Sequence, residues 1–209
     1  MKKLIAAFAV TLAATGQAWA DNHFTGNLAY HNDLGMFAFR VADPFADIAI
    51  WTDSFADGVN FDPVLAVWKQ NGSDWELIQH SDDDVIGAPG QTIYDAGLTF
   101  GLAGMFANLE SGDYRLTLTT FNSFPSGVLL SNGFTLDGET PIPMGLWDQP
   151  ANGVGKGTFY SVHLTGTEQE VDLTNNVHTA PIPEPETYAL LLSGLGLLGV
   201  AARRRKQGA

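Results

Sequence analysis

The chain contains no cysteine. That excludes disulfides, thiolate metal centres, CxxC redox chemistry and a cysteine nucleophile. A protein sent outside the cell without disulfides must rely on a packed core, with or without bound ions. Positive charge is also scarce where a partner would meet it. Of the ten Lys and Arg residues, six stand at the two ends: Lys2, Lys3, Arg203, Arg204, Arg205 and Lys206. Between residues 21 and 180 only Arg40, Lys69, Arg115 and Lys156 remain, four cations against 21 acids, a net charge of −17. Phosphate backbones are held by Lys and Arg, so nucleic acid is excluded as a partner.

Catalytic signatures are missing too. The sequence has no G-x-S-x-G elbow, no G-x-x-x-x-G-K-[ST] loop and no strand-linked G-x-G-x-x-G. Its five histidines, His23, His31, His80, His163 and His178, form no H-x-H, H-E-x-x-H or i,i+4 pair, so zinc has no local signature. They read as surface or strand-edge histidines, with His80 alone beside acidic neighbours. A glycosidase needs two carboxylates about 5 to 9.5 Å apart. With 21 acids in the body some pair reaches that spacing by chance. The expectation is a protein that is not an enzyme.

What is present at the ends reads as two addresses. Lys2-Lys3, an uncharged apolar stretch over residues 4–14 and Ala18-Trp19-Ala20 have the layout of a secretory signal, with cleavage after Ala20. Eleven residues span about 16 Å as a helix, too short for a bilayer core of about 30 Å. Export machinery of the Sec type and signal peptidase are the implied partners. At the other end Pro181, Pro183 and Pro185 make a joint that continues neither a helix nor a central strand. Residues 187–202 carry no charge and are rich in Leu and Gly, and Arg203-Arg204-Arg205-Lys206 follow. This predicts a short transmembrane helix with its basic end cytoplasmic and the body outside. Three regions result: a signal peptide (1–20), an ectodomain (21–180) and a C-terminal sorting segment (181–209).

Pro183-Glu184-Pro185, the Leu/Gly helix and the arginine cluster together resemble the PEP-CTERM sorting signal of exported bacterial proteins. The resemblance implies processing by an exosortase near the PEP box. It also implies an address at the envelope of a Gram-negative, exopolysaccharide-making bacterium, on the cell surface or in the extracellular matrix.

The body shows period-two alternation with turn residues between. In MFAFRV, Phe37, Phe39 and Val41 share a face, with Met36 and Arg40 on the other. Ile48 and Ile50 oppose Ala49 and Trp51; Tyr114, Leu116 and Leu118 point inward, Arg115, Thr117 and Thr119 outward. VLAVWKQ and WELIQH flank Asn71-Gly72-Ser73-Asp74, where Asn-Gly predicts a tight hairpin. TFYSVHL gives another strand, and Gly153-Val154-Gly155-Lys156-Gly157 reads as a flexible loop before the last strand. The expected fold is all-β, an antiparallel, jelly-roll-like β-sandwich. Phe61-Asp62-Pro63 opening a strand, the aspartates after the next hairpin and Gly112-Asp113-Tyr114 resemble the ectodomain of the DVUA-type group of PEP-CTERM proteins. More loosely they are similar to the pre-peptidase C-terminal domain, a small β-sandwich.

Asp82-Asp83-Asp84 is the sharpest polar feature. Adjacent carboxylates repel one another, so either their pKa values rise or a cation sits among them. Calcium takes hard oxygen ligands from loops, and Asp62, Asp53, Asp57 and Ser81 are possible partners. The pre-peptidase-like resemblance suggests calcium as well. The plainer reading is a solvated acidic turn. Trp51, Trp68, Trp75 and Trp147, with Tyr94, Phe121 and Phe124, would make a sugar-stacking platform if exposed on one face, whereas strand aromatics are ordinarily core or cross-strand pairs. The functional expectation is a structural or adhesive exported protein associated with exopolysaccharide. The alternative is a calcium-assisted carbohydrate-binding module, and a hydrolase comes third.

Overall fold

The computed structural model describes residues 22–102 and 104–174. The signal segment with Ala18 and Ala20, the proline joint with Pro183, Glu184 and Pro185, the apolar segment and Arg203 to Arg205 lie outside the described residues. Among the described residues no helix is long and apolar enough to cross a membrane.

Among the described residues nine strands form two antiparallel sheets: β1 (Asn22–Asn27), β2 (Gly35–Val41), β3 (Ile48–Thr52), β4 (Pro63–Asn71), β5 (Asp74–Ser81), β6 (Gly97–Phe100), β7 (Gly112–Thr120), β8 (Phe159–Thr165) and β9 (Glu168–Asp172). One sheet runs β1-β8-β3-β6 and the other β5-β4-β7-β2-β9. The β-sandwich expected from the alternation is what forms. Inner-face residues meet in one core: Phe37, Phe39 and Val41 of β2, Ile48 and Ile50 of β3, Leu65 and Val67 of β4, Tyr114, Leu116 and Leu118 of β7, and Tyr160, Val162 and Leu164 of β8. Burial of these side chains is the main stabilising term of a chain with no covalent cross-link.

Two local expectations need correction. The β4–β5 turn centres on Gly72-Ser73, with Asn71 paired to Asp74, so Gly72 takes the left-handed position (φ +62°) that a Gly-first two-residue turn demands. Trp68 and Trp75 flank that turn and would be expected to pair across the hairpin, but a bulge after Val67 sets Trp68 opposite Leu77 and Trp75 opposite Gln70. Thr117 and Thr119 point away from the core as expected and are covered in turn, being 1% and 2% exposed. The segment over 121–137 lies across that face and closes a second cluster of Ala66, Trp68 and Phe134. Within it the Trp68 indole N–H donates to Thr117 Oγ1 at 2.9 Å. A buried aromatic of this size is worth about 3–5 kcal/mol against alanine.

The glycine-rich stretch over 153–157 is pinned rather than flexible. Gly155 N–H donates to Gly145 O at 2.7 Å and Gly157 N–H to Val59 O at 2.7 Å. Lys156 is 5% exposed and its ammonium donates to the carbonyls of Trp147 and Gly153. Burial lowers its pKa from the usual lysine value. The following strand, β8, is not the last; β9 closes the five-stranded sheet against β2.

Candidate functional site

Asp62 stands one residue ahead of β4, and Asp82 one residue beyond β5. Because β4 and β5 form a hairpin, the start of one and the end of the other lie side by side, with Leu65 opposite Ser81. That pairing brings together residues twenty positions apart in sequence. The loop after β5 then runs over β6, where Gly97 leaves room for it: a Cβ there would collide with the Asp84 carbonyl and the Ile86 side chain. Ser81, 2% exposed, accepts the Gly97 N–H at 3.0 Å and fixes the loop's origin.

Asp62, Asp82 and Asp83 each offer a carboxylate oxygen, all within 4.8 Å of one another. Asp62 is 2% exposed. Its backbone is clamped by Gln149: Asp62 N–H donates to Gln149 Oε1 at 3.0 Å, and Gln149 Nε2 donates to Thr120 Oγ1 at 2.6 Å. Asp62 O also accepts the Phe121 N–H at 2.7 Å. The side chain is left over: Asp62 Oδ1 and Asp82 Oδ1 are both buried atoms with no hydrogen-bond partner. Burial and the facing Asp82, Asp83 and Asp95 push the Asp62 carboxyl up to about 8. Burial, Asp83 and Asp84 push Asp82 up to about 7, and burial followed by Asp84 raises Asp83.

Asp95, fully buried nearby, shows what a carboxylate provided for by the fold looks like. Its Oδ1 accepts from Thr52 Oγ1 at 3.0 Å and Phe55 N at 3.1 Å, and its Oδ2 from Thr92 N at 2.8 Å and Thr92 Oγ1 at 2.9 Å. Buried polar atoms are nearly always satisfied, and an orphaned one asks for an explanation such as an ion. A hard divalent cation supplies one, since Ca²⁺ collects six to eight oxygens from carboxylates, carbonyls and waters.

The other expected partners disperse. Asp84 is exposed and outside the ligand set; its charge only acts on Asp82 and Asp83. Asp57 is exposed in the short turn over 56–58, at φ +55°. Ser81 is engaged with Gly97. Asp53 joins a different group, with Oδ2 at 3.1 Å from His163 Nε2. Burial alone would raise the Asp53 pKa, but hydrogen bonds from His163 and Ser161 and the charges of His163 and His23 hold it below the ordinary value.

The histidines also sort differently from the expectation. His80 is exposed, with Phe124 at 6.1 Å as its aromatic neighbour. His31 is fully buried: Nδ1 accepts the Ile142 N–H at 3.1 Å, so Nε2 carries the proton that faces Glu139 Oε2 at 3.2 Å. It is a core histidine with both nitrogens satisfied. His23 and His163, 140 positions apart, face each other directly across β1 and β8. No spacing rule could have found that pair. Among the described residues the tryptophans make no exposed platform: Trp68 is fully buried, Trp51 is 8% exposed, and Trp75 and Trp147 are half-buried.

Residues 181–206 match the PEP-CTERM protein-sorting motif. The motif implies a protein that is exported, passes through the membrane on its way to the cell surface and is processed by an exosortase. No curated protein matched the chain.

Proposed function

We propose that the sandwich is the cargo of this sorting system, a non-enzymatic structural or adhesive domain delivered to the surface or the exopolysaccharide matrix and freed of its tail by cleavage near Pro183-Glu184-Pro185. The sorting motif directly behind a disulfide-free β-sandwich carries this reading. The high negative charge of the body supports it, because such a surface stays soluble and holds cations in an anionic gel. Intact mass of the extracellular species tests it. A mass lacking Arg203 to Ala209 is expected; a mature secreted form that keeps them overturns the processing step.

The orphaned oxygens of Asp62 and Asp82 favour a second reading, a calcium-assisted carbohydrate-binding module. Asp62, Asp82 and Asp83 would hold the ion, with carbonyls and water completing its shell. The looser resemblance to the pre-peptidase C-terminal domain suggests calcium as well. Glycan-array binding with and without calcium tests it: calcium-dependent retention on acidic or neutral polysaccharide is expected, and identical arrays in calcium and in chelator exclude it.

A further inference from the structure

The outer face of the four-stranded sheet carries a row of three parallel rings. Antiparallel pairing puts His23 of β1 opposite His163 of β8, and His163 opposite Trp51 of β3. The His23 and His163 rings stack at 4.2 Å with 4° between planes, and Trp51 covers the other side of His163 at 4.7 Å and 5°. Two residues along each strand, the same face presents Asp53 just past β3 and Ser161 on β8. Both imidazole Nε2 atoms converge there: His23 Nε2 lies 2.8 Å and His163 Nε2 3.3 Å from Ser161 Oγ, and Asp53 Oδ2 is 3.1 Å from His163 Nε2. One ligand atom from each of His23, Asp53 and His163 lies within 4.8 Å of the others.

From this arrangement we propose that His23, Asp53 and His163 form a binding site for a divalent transition-metal ion of the zinc kind. Two imidazole nitrogens and one carboxylate oxygen are the borderline donor set that zinc, nickel and copper take, and calcium and magnesium do not. Zinc bonds of about 2.0–2.2 Å lie in the plane of each imidazole and put ligand atoms a little over 3 Å apart, so binding turns the His23 ring out of its parallel stack toward the ion. Trp51 fixes the His163 ring plane by stacking, which reduces the entropy lost on binding. The half-buried face leaves a fourth position to water. An ion here ties the edge strand β1 to β8 and to the end of β3, a cross-link in a chain that has no disulfide. The site is separate from the oxygen-only cluster of Asp62, Asp82 and Asp83, and neither depends on the other.

The test uses the full chain without a histidine tag, stripped with chelator and titrated with zinc chloride by calorimetry and thermal melting. One zinc per chain is expected, with a rise in Tm of about 5 °C at a hundredfold excess over Kd. His163→Ala is expected to weaken binding more than tenfold and Asp53→Asn several-fold, whereas His80→Ala binds as the parent does. Equal affinity in His163→Ala and the parent overturns the proposal, as does loss of binding in His80→Ala. Should His163→Ala not fold, histidine-labelled NMR of the unmutated chain decides. Zinc must shift the His23 and His163 imidazole resonances; shifts confined to other histidines overturn it.

Discussion

Two carboxylate clusters on one sandwich have opposite electrostatic characters. Asp53 sits beside His163, Ser161 and His23 and is held below the ordinary aspartate range, its desolvation outweighed by donors and positive charge. Asp62 faces only more carboxylates and is pushed up to about 8. The residue type is the same and the burial of both is substantial; what differs is whether the neighbours can donate. A carboxylate with donors keeps its charge without needing a proton or an added ion. One whose buried oxygen has no partner is incomplete without a proton or a cation.

The largest expected effect follows from that incompleteness. Calcium at a hundredfold excess over its Kd should raise the melting temperature by about 5 °C, and the double substitution Asp62→Asn with Asp82→Asn should abolish the rise. Asp84→Asn, outside the ligand set, should leave most of it. A calcium shift of equal size in the double variant and the parent would remove the cation from the Asp62 cluster.

A second difference shows in pH dependence. In the folded, cation-free chain the Asp62 carboxyl keeps its proton to about 8 and Asp82 to about 7, while in the unfolded chain both ionise near 4. Between those values the folded state binds more protons than the unfolded one, so stability falls as pH rises through the window. Denaturation curves in chelator should move to lower midpoint between pH 5 and 8. Calcium should flatten this slope, and so should the double asparagine variant. A slope unchanged in that variant would assign the effect to other groups.

The smallest expected effect comes from the satisfied cluster. Asp53→Asn removes a charge-assisted partner of His163 and should cost about 1–2 kcal/mol, measured as a shift of urea midpoint at constant slope. A stabilising substitution would mean that desolvation, not the histidine, governs Asp53.

Legibility in the sequence divides along the same physical line. Alternation located six of the strands, β2, β3, β4, β5, β7 and β8, because each lays alternate residues on the core: Phe37, Phe39 and Val41 inside with Arg40 outside is a two-residue period that needs no partner to be recognised. The Asp62–Asp82 grouping was within reach for a related reason. One hairpin joins them, and a hairpin is signalled locally by its turn residues. Thr117 and Thr119 do point outward, but alternation reports direction, not what lies beyond; the covering segment over 121–137 belongs to no period. Asp84 and Asp57 carried the right chemistry at the wrong places, since a run of acids does not say which side chains turn inward.

By itself the sequence determined the chemistry available and the destination: no thiols, few cations in the body, a sandwich-forming alternation and a tail matching the PEP-CTERM sorting motif. Those are properties of composition and of short contiguous segments. Which donors meet was decided only by the tertiary structure. Strand register in the four-stranded sheet brings His23 to His163 and Trp51, and Asp53 to Ser161. Register is set by how whole strands pack across the core, which no local window contains.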